Sequence, residues 1–375
     1  MITQKVRDVE LSGIRKMFEM ADEDSINLGL GQPDFQPPEG AIEAYYQAMK
    51  DGHNGYGSTY GLKELREEIA KEYSKYKPGL EKENVLMHVG ATQAFRVTLE
   101  SVVEESDEVL YPEPGFVLYD SQTKLAGGEP VAYPVEQKND FVPQIEKLEE
   151  RRTDNTKAII VNSPSNPTGG VFSKKDIEKI VKWAEKHDLL VLSDEVYEKM
   201  IYEGEHNSFL GEYENVIMIN SFSKVFAMTG WRVGYIVTKK DWVEEIGKVN
   251  YYNIACPPIA TQYAVLHALK NERDFIDKMI ETFRERRDII VDRLNSIPGF
   301  ECLKPKGAFY VFPSLDFDIS AEELAMEILA GGVIATPGTA FGPTGEGHLR
   351  FSYANSTENI KKGMDIVEDV VSGLE

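Results

Sequence analysis

Lys224 lies in Ser221-Phe222-Ser223-Lys224, with Arg232 eight residues further on. A lysine amine can condense with an aldehyde to form an imine. The hydroxyl of Ser221 and the forked guanidinium of Arg232 can hold a phosphate, the arginine through charge-assisted hydrogen bonds. Upstream, Asp194-Glu195-Val196-Tyr197 offers the Asp194 carboxylate to a protonated ring nitrogen. Asn166, in Asn166-Pro167-Thr168-Gly169, and Tyr197 add hydrogen bonds for a phenolic oxygen. Together these residues supply every group needed to hold pyridoxal 5'-phosphate, a cofactor that delocalises the carbanion left when an amino acid loses its α-proton.

Those groups work together only if the fold brings them to one place. Apolar runs and helical patterns alternate through the middle of the chain, which predicts an α/β domain with a mostly parallel sheet. The spacing predicts strands over Val85 to Val89, Glu108 to Tyr111, Ala158 to Asn162, Leu189 to Ser193, Val216 to Asn220 and Val233 to Thr238. A helix over Leu62 to Tyr73 carries Leu62, Leu65, Ile69 and Tyr73 on one stripe. Another opens at Ser173, with Asp176 three residues on in a capping-box spacing. Asn166 follows the strand ending at Asn162, Asp194 closes the strand from Leu189, and Ser221 follows the strand ending at Asn220. Open α/β sheets bind ligands beyond the carboxyl ends of their strands, so three strand ends would deliver three parts of one site. Gly90-Ala91-Thr92, between a strand and a helical pattern, can turn backbone N–H groups towards an anion. After Pro257 the pattern is mainly helical, with Phe275, Met279, Phe283, Ile290 and Leu294 on one long amphipathic segment. Lys306 to Tyr310 and the strand-like Leu349 to Ser352 belong to a smaller α+β unit, which ends in a helix capped by Thr357.

The three motifs, in this order and spacing, resemble the class I aminotransferases, a pyridoxal-phosphate family, over nearly the whole chain. The resemblance implies fold type I. A large domain over residues 45–285 would hold a mostly parallel seven-stranded sheet flanked by helices, and residues 1–44 with 286–375 would form a small α+β domain. Lys224 would bind the cofactor at rest and, once a substrate amine displaces it, move a proton between Cα and the cofactor's C4' carbon. A desolvated site near a cationic ring can lower a lysine's pKa enough for that task. Ala91, Thr92, Ser221, Ser223 and Arg232 would hold the phosphate, and Phe116 would stack on the ring where many relatives carry Trp or Tyr. Arg350, in Leu349-Arg350-Phe351-Ser352-Tyr353-Ala354, matches the arginine that grips the substrate α-carboxylate bidentately, in a pocket completed by Asn166 and the Gly31 backbone. Tyr56 matches a tyrosine that reaches the phosphate of the neighbouring subunit, so the implied active unit is a homodimer.

The implied reaction is ping-pong transfer of an amino group from an L-amino acid to a 2-oxo acid, with aspartate as expected donor and 2-oxoglutarate as acceptor. Ser12-Gly13-Ile14-Arg15-Lys16 resembles the start of archaeal and bacterial aspartate enzymes and their aromatic-substrate relatives. Arg15 is a candidate cation for a distal carboxylate. Tyr251-Tyr252-Asn253-Ile254, which the partner subunit could supply, would instead favour an apolar side chain, so an aromatic donor is the alternative. A C–S lyase would use nearly the same residues, because the cofactor supplies the sink and pocket geometry decides the outcome. A non-enzymatic regulator with such a domain would need a separate DNA-binding module.

Composition narrows the classes further. Acidic residues outnumber basic ones 63 to 41, for a formal charge of −22, which leaves no basic stripe for nucleic acid. No apolar run approaches the ~20 residues that span a bilayer. The first five residues are not followed by the apolar core of a secretory leader. Cys256 and Cys302 make neither a CxxC pair nor a disulfide framework, so a reducing cytoplasm is the expected compartment. The six histidines show no metal-ligand spacing, and no metal is expected; His88 and His348 read as packed or hydrogen-bonded side chains. Gly29-x-Gly31 lacks the third glycine of a dinucleotide fingerprint, and Gly342 to Gly345 lacks the Lys-Ser/Thr of a P-loop.

Overall fold

The apolar runs of the middle of the chain form one seven-stranded sheet in the computed structural model, which describes residues 2–7, 9, 13, 17, 20, 22 and 24–374. The strands are β1 (Val85–His88), β2 (Glu108–Glu113), β3 (Glu129–Pro134), β4 (Thr156–Asn162), β5 (Leu190–Asp194), β6 (Val216–Ser221) and β7 (Gly234–Val237). Their order across the sheet is β1-β7-β6-β5-β4-β2-β3. Only β7 runs antiparallel to its neighbours; every other pairing is parallel.

Alternation along the strands builds a core on each face of the sheet. Ile159, Val161, Val191 and Met218 face one side, where Ile177, Ile180, Val181 and Ala184 of the helix Lys174–Lys186 cover them. Ala158, Ile160, Leu192, Ile217 and Ile219 face the other, under Ala94, Phe95 and Val97 of the helix Gly90–Val102 and Val243 and Ile246 of the helix Lys240–Ile254. β5 and β6 are buried along their whole length, which is why they open on the apolar runs Leu190–Leu192 and Val216–Ile219. β3 is absent from the predicted strands. It lies at the sheet edge, is mostly half-exposed, and carries Pro130 and Pro134, residues an edge strand tolerates but a strand pattern hides.

A further core gathers Met17, Ile26 and Leu28 with residues between Met279 and Val371. Ile26 and Asn27 pair in parallel with Val333 and Ile334, which ties the amino-terminal segment to the carboxyl-terminal third. The helix Arg273–Ser296 spans two cores, giving Ile276 to the first and Met279, Phe283, Ile290 and Leu294 to the other. Beside it Leu349–Ser352 runs antiparallel to both Tyr310–Val311 and Thr336–Pro337, and Arg350 sits on that central strand.

Two helix starts test the capping arguments. Ser173 and Asp176 form a reciprocal box: Asp176 N–H donates to Ser173 Oγ at 3.3 Å, and Ser173 N–H donates to Asp176 Oδ2 at 3.0 Å. The last helix is capped one residue earlier than predicted. Ser356 Oγ accepts from the Asn359 N–H at 3.1 Å, and Thr357 is the first helical residue. Both hydroxyls suit the role, and only the backbone turn decides between them. Ser173→Ala should cost about 1 kcal/mol of stability, seen as a lower urea midpoint with an unchanged slope.

Candidate active site

Three adjacent parallel strands end together, and the register of the sheet sets what they deliver. Asn162 at the end of β4 pairs with Asp194 at the end of β5, and Ser221 closes β6. Gly31, Ala91, Thr92, Phe116, Asn166, Asp194, Tyr197, Ser221, Ser223, Lys224, Arg232 and Arg350 all line one cavity of about 260 Å³. Tyr56 does not; it is 93% exposed on the outside of the chain. Arg15 lies outside the described residues.

Lys224 occupies the short helix Phe222–Val225, directly after β6, and its Nζ donates to the Gly31 carbonyl at 2.5 Å. Burial, then the neighbouring charges of Arg350 and Arg232, lower its pKa to about 8, against the opposing pull of Asp194. Part of the side chain stays accessible from the cavity, so the amine is desolvated yet reachable. Asp194 is buried, and burial raises its carboxyl to about 6 although Tyr119 and the Val196 N–H both donate to it. A cationic ring nitrogen beside this carboxylate would favour its charged form again. Asn162 holds the turn beneath: its Nδ2 donates to the Asp194 carbonyl at 3.1 Å, and its Oδ1 accepts from the Asn166 N–H at 2.9 Å. Glu195 is compensated inside the fold by Ser193, Ser208 and His206, which donate at 2.9, 2.8 and 2.7 Å.

The end of the cavity beside Arg232 is shaped by glycine. The helix Gly90–Val102 has no side-chain cap, so its first-turn N–H groups face the cavity without an internal acceptor. Gly90 has φ +76°, and a Cβ there would stand 2.4 Å from Arg232 Nη2. A Cβ on Gly234 would stand 2.5 Å from the Gly90 carbonyl carbon and 2.6 Å from the Ala91 nitrogen. The helix start, β7 and the arginine therefore meet where only glycines fit. Arg232 itself is anchored by Nη1, which donates to the Thr229 carbonyl at 2.7 Å.

Arg350 is 1% exposed. Its Nη1 donates to Asn166 Oδ1 at 3.0 Å, and its Nη2 donates to the Gly29 carbonyl and to Thr336 Oγ1 at 3.4 Å. Its guanidinium carbon lies 4.5 Å from the Tyr310 ring centre and 4.7 Å from that of Phe341, two cation–π contacts. The buried Nε has no partner among the described residues.

Sequence reasoning assigned no task to Tyr119, Tyr310, Thr336 or Phe341. Tyr119 is fully buried and donates to Asp194 Oδ2 at 2.7 Å across 75 positions of sequence. The one local cue is its place three residues after Phe116, on the helix Leu118–Ala126. His88 and His348 are not among the residues that line this cavity. His88 is buried against Gln93 at 2.9 Å, and His348 stacks on Phe312 at 4.8 Å.

Pyridoxal 5'-phosphate fits this donor set. A desolvated amine, an uncapped helix start beside an arginine, a buried carboxylate and a flanking aromatic face one cavity, and each matches a different part of that molecule. The family model described as "Aminotransferase class I and II" matches residues 23–367. The chain is 41% identical to an aspartate aminotransferase of Pyrococcus abyssi, over 97% of this chain and 96% of the relative. It is 39% identical to aromatic-amino-acid aminotransferase 2 of Thermococcus litoralis, over 99% of this chain and 98% of the relative. Its structure matches that of a double mutant of Thermus thermophilus aspartate aminotransferase with a TM-score of 0.93 at 33% identity, covering 99% of each chain.

Tyr119→Phe removes a donor that favours the charged form of Asp194, so the carboxyl should titrate higher still. The acid limb of the activity profile should move up by about one pH unit, with the loss of rate larger at pH 6 than at pH 8. A superimposable profile would show that the Tyr119 hydroxyl does not tune Asp194.

Proposed function

The chain belongs to the class I and II aminotransferases, and from that premise we propose that it passes the amino group of L-aspartate to 2-oxoglutarate in two half-reactions at one site. It is a pyridoxal-phosphate-dependent transaminase. The observation that carries the reading is the meeting of Lys224, Asp194, the Gly90 helix start and Arg350 in a single cavity. When bound, pyridoxal 5'-phosphate supplies the electron sink for the substrate carbanion.

The chain's own residues do the rest on this reading. Asp194 holds the proton on the ring nitrogen. Ala91, Thr92, Ser221, Ser223 and Arg232 anchor the phosphate, and Phe116 covers the ring. Lys224 Nζ takes the α-proton from substrate Cα and returns it one position along; burial and two neighbouring arginines keep a useful share of it neutral near pH 8. Arg350, with Asn166 beside it, orients the α-carboxylate so that the Cα–H bond faces Lys224. Asn166 and Tyr197 serve the phenolic oxygen.

Aspartate and 2-oxoglutarate both carry a distal carboxylate, so one cation would answer both half-reactions. Among the described residues of the cavity the cations are Lys224, Arg232 and Arg350, each already with a task. Arg15 is the proposed fourth. Phe116, Tyr197 and Tyr310 in the walls favour the second reading, an aromatic donor, as does the likeness to the Thermococcus litoralis enzyme. The proposed active unit is a homodimer in the cytoplasm. Tyr56 and Tyr252 are 93% and 88% exposed, as side chains destined for a second copy would be. No helix among the described residues is long and apolar enough to cross a membrane.

Single amino acids added to the cofactor-loaded protein, without an oxo acid, should bleach its visible band, aspartate and glutamate fastest. Faster bleaching by phenylalanine or tyrosine would make the aromatic reading the right one. Lys224→Ala should lose the visible band and turnover while keeping its circular dichroism; amino transfer at the wild-type rate would defeat the lysine's assignment. Arg350→Ala should lower kcat/KM about 100-fold for every amino acid, because all share the α-carboxylate. A loss confined to acidic substrates would place Arg350 at the side chain instead.

A further inference from the structure

Tyr310 touches three parts of the site at once. Its hydroxyl lies 2.8 Å from the Tyr197 hydroxyl, with both phenols buried. Its ring carries the Arg350 guanidinium at 4.5 Å. A Cβ on Gly31 would stand 2.3 Å from the Tyr310 oxygen, so that oxygen rests against the residue whose carbonyl receives Lys224 Nζ. The strand Tyr310–Val311 pairs with Ser352 and Phe351, which fixes the ring beside Arg350 through backbone hydrogen bonds. The charged groups around the phenol pair are Arg350, Lys224 and Asp194.

One hydrogen is shared between the two phenols, so one of them keeps a free O–H. Burial raises the pKa of both phenols, and the Arg350 cation stacked on the Tyr310 ring opposes that rise, which favours Tyr310 as the donor of the pair. If Tyr310 donates, the Tyr197 hydrogen is left for an acceptor inside the cavity. The reverse order would spend the Tyr197 hydrogen on its neighbour. We infer that Tyr310 is a positioning residue: its hydroxyl donates to Tyr197 Oη and so aims the Tyr197 O–H at the cofactor's phenolic oxygen, while its ring seats Arg350 for the substrate carboxylate. This rests on the transaminase reading and on Tyr197 serving that oxygen.

A hydrogen donated to the phenolic oxygen draws off its charge, so a proton shared between that oxygen and the Lys224 nitrogen is held less tightly. Weakening the Tyr197 donation should therefore raise the pH midpoint of the visible band. The test is a spectrophotometric titration of the substrate-free, cofactor-loaded protein as wild type, Tyr310→Phe, Tyr197→Phe and the double variant. Tyr310→Phe keeps the ring under Arg350, so KM for amino acids should stay within about twofold while the midpoint rises by about half a pH unit. The double variant should titrate like Tyr197→Phe alone, because the Tyr310 hydroxyl acts only through Tyr197. Tyr310→Leu, which also removes the ring, should raise KM for every amino acid. A wild-type band with an unmoved midpoint in Tyr310→Phe, or shifts that simply add in the double variant, would overturn the inference and leave the transaminase reading standing. A loaded wild-type protein with no visible band would overturn both.

Discussion

Three cations, Arg350 buried and Lys224 and Arg232 half-buried, share one cavity with a single carboxylate, and each donates to a backbone carbonyl. Lys224 donates to Gly31, Arg232 to Thr229, and Arg350 to Gly29. A carbonyl dipole accepts one of each group's N–H donors but cannot neutralise its charge, and a desolvated charge without a counter-ion is costly. The arrangement is therefore poised for anionic ligands, in a chain whose net charge is −22. On the proposed reading, a phosphate meets Arg232 and a carboxylate meets Arg350. The lysine between them is destabilised as a cation by both.

That charge pattern depends on elements far apart in sequence. The sheet brings Asn162, Asp194 and Ser221 to adjacent strand ends, and a one-residue slip would turn each of them to the opposite face. The carbonyls of Gly29 and Gly31 come from the amino-terminal segment, which is tied to Val333 and Ile334. Arg350 comes from a strand near the other end of the chain. Asn27 holds the Gly29–Leu30 turn by accepting both N–H groups at 3.1 and 3.0 Å, so the two carbonyls are presented by a pinned loop.

The parts of this design that the sequence discloses are those carried by local pattern. β5 and β6 open on apolar runs because both faces are covered, and the motif residues lie at or within a few residues of their polar ends. A desolvated Lys224 and a pocket arginine at Arg350 could be expected from their motifs, and the cavity holds both. What stays hidden depends on contacts across the fold. Tyr119 reaches Asp194 over 75 positions and Tyr310 reaches Tyr197 over 113, with no spacing rule to announce either. β3 is concealed by its prolines and its edge position, and the Ser356 cap differs from the expected Thr357 only by one step of backbone.

The contact of Gly90 with Gly234 divides the cavity into two kinds of wall. At the end beside Arg232, backbone meets backbone and arginine, and neither glycine can gain a side chain without pushing the helix start away from β7. Elsewhere the wall is made of side chains such as Leu30 and Val196, where a change of size meets no such backbone contact. Drift in the second wall would alter what the cavity accepts while the first kept its dimensions. On the proposed reading, the choice of substrate can then change without loosening the grip on phosphate.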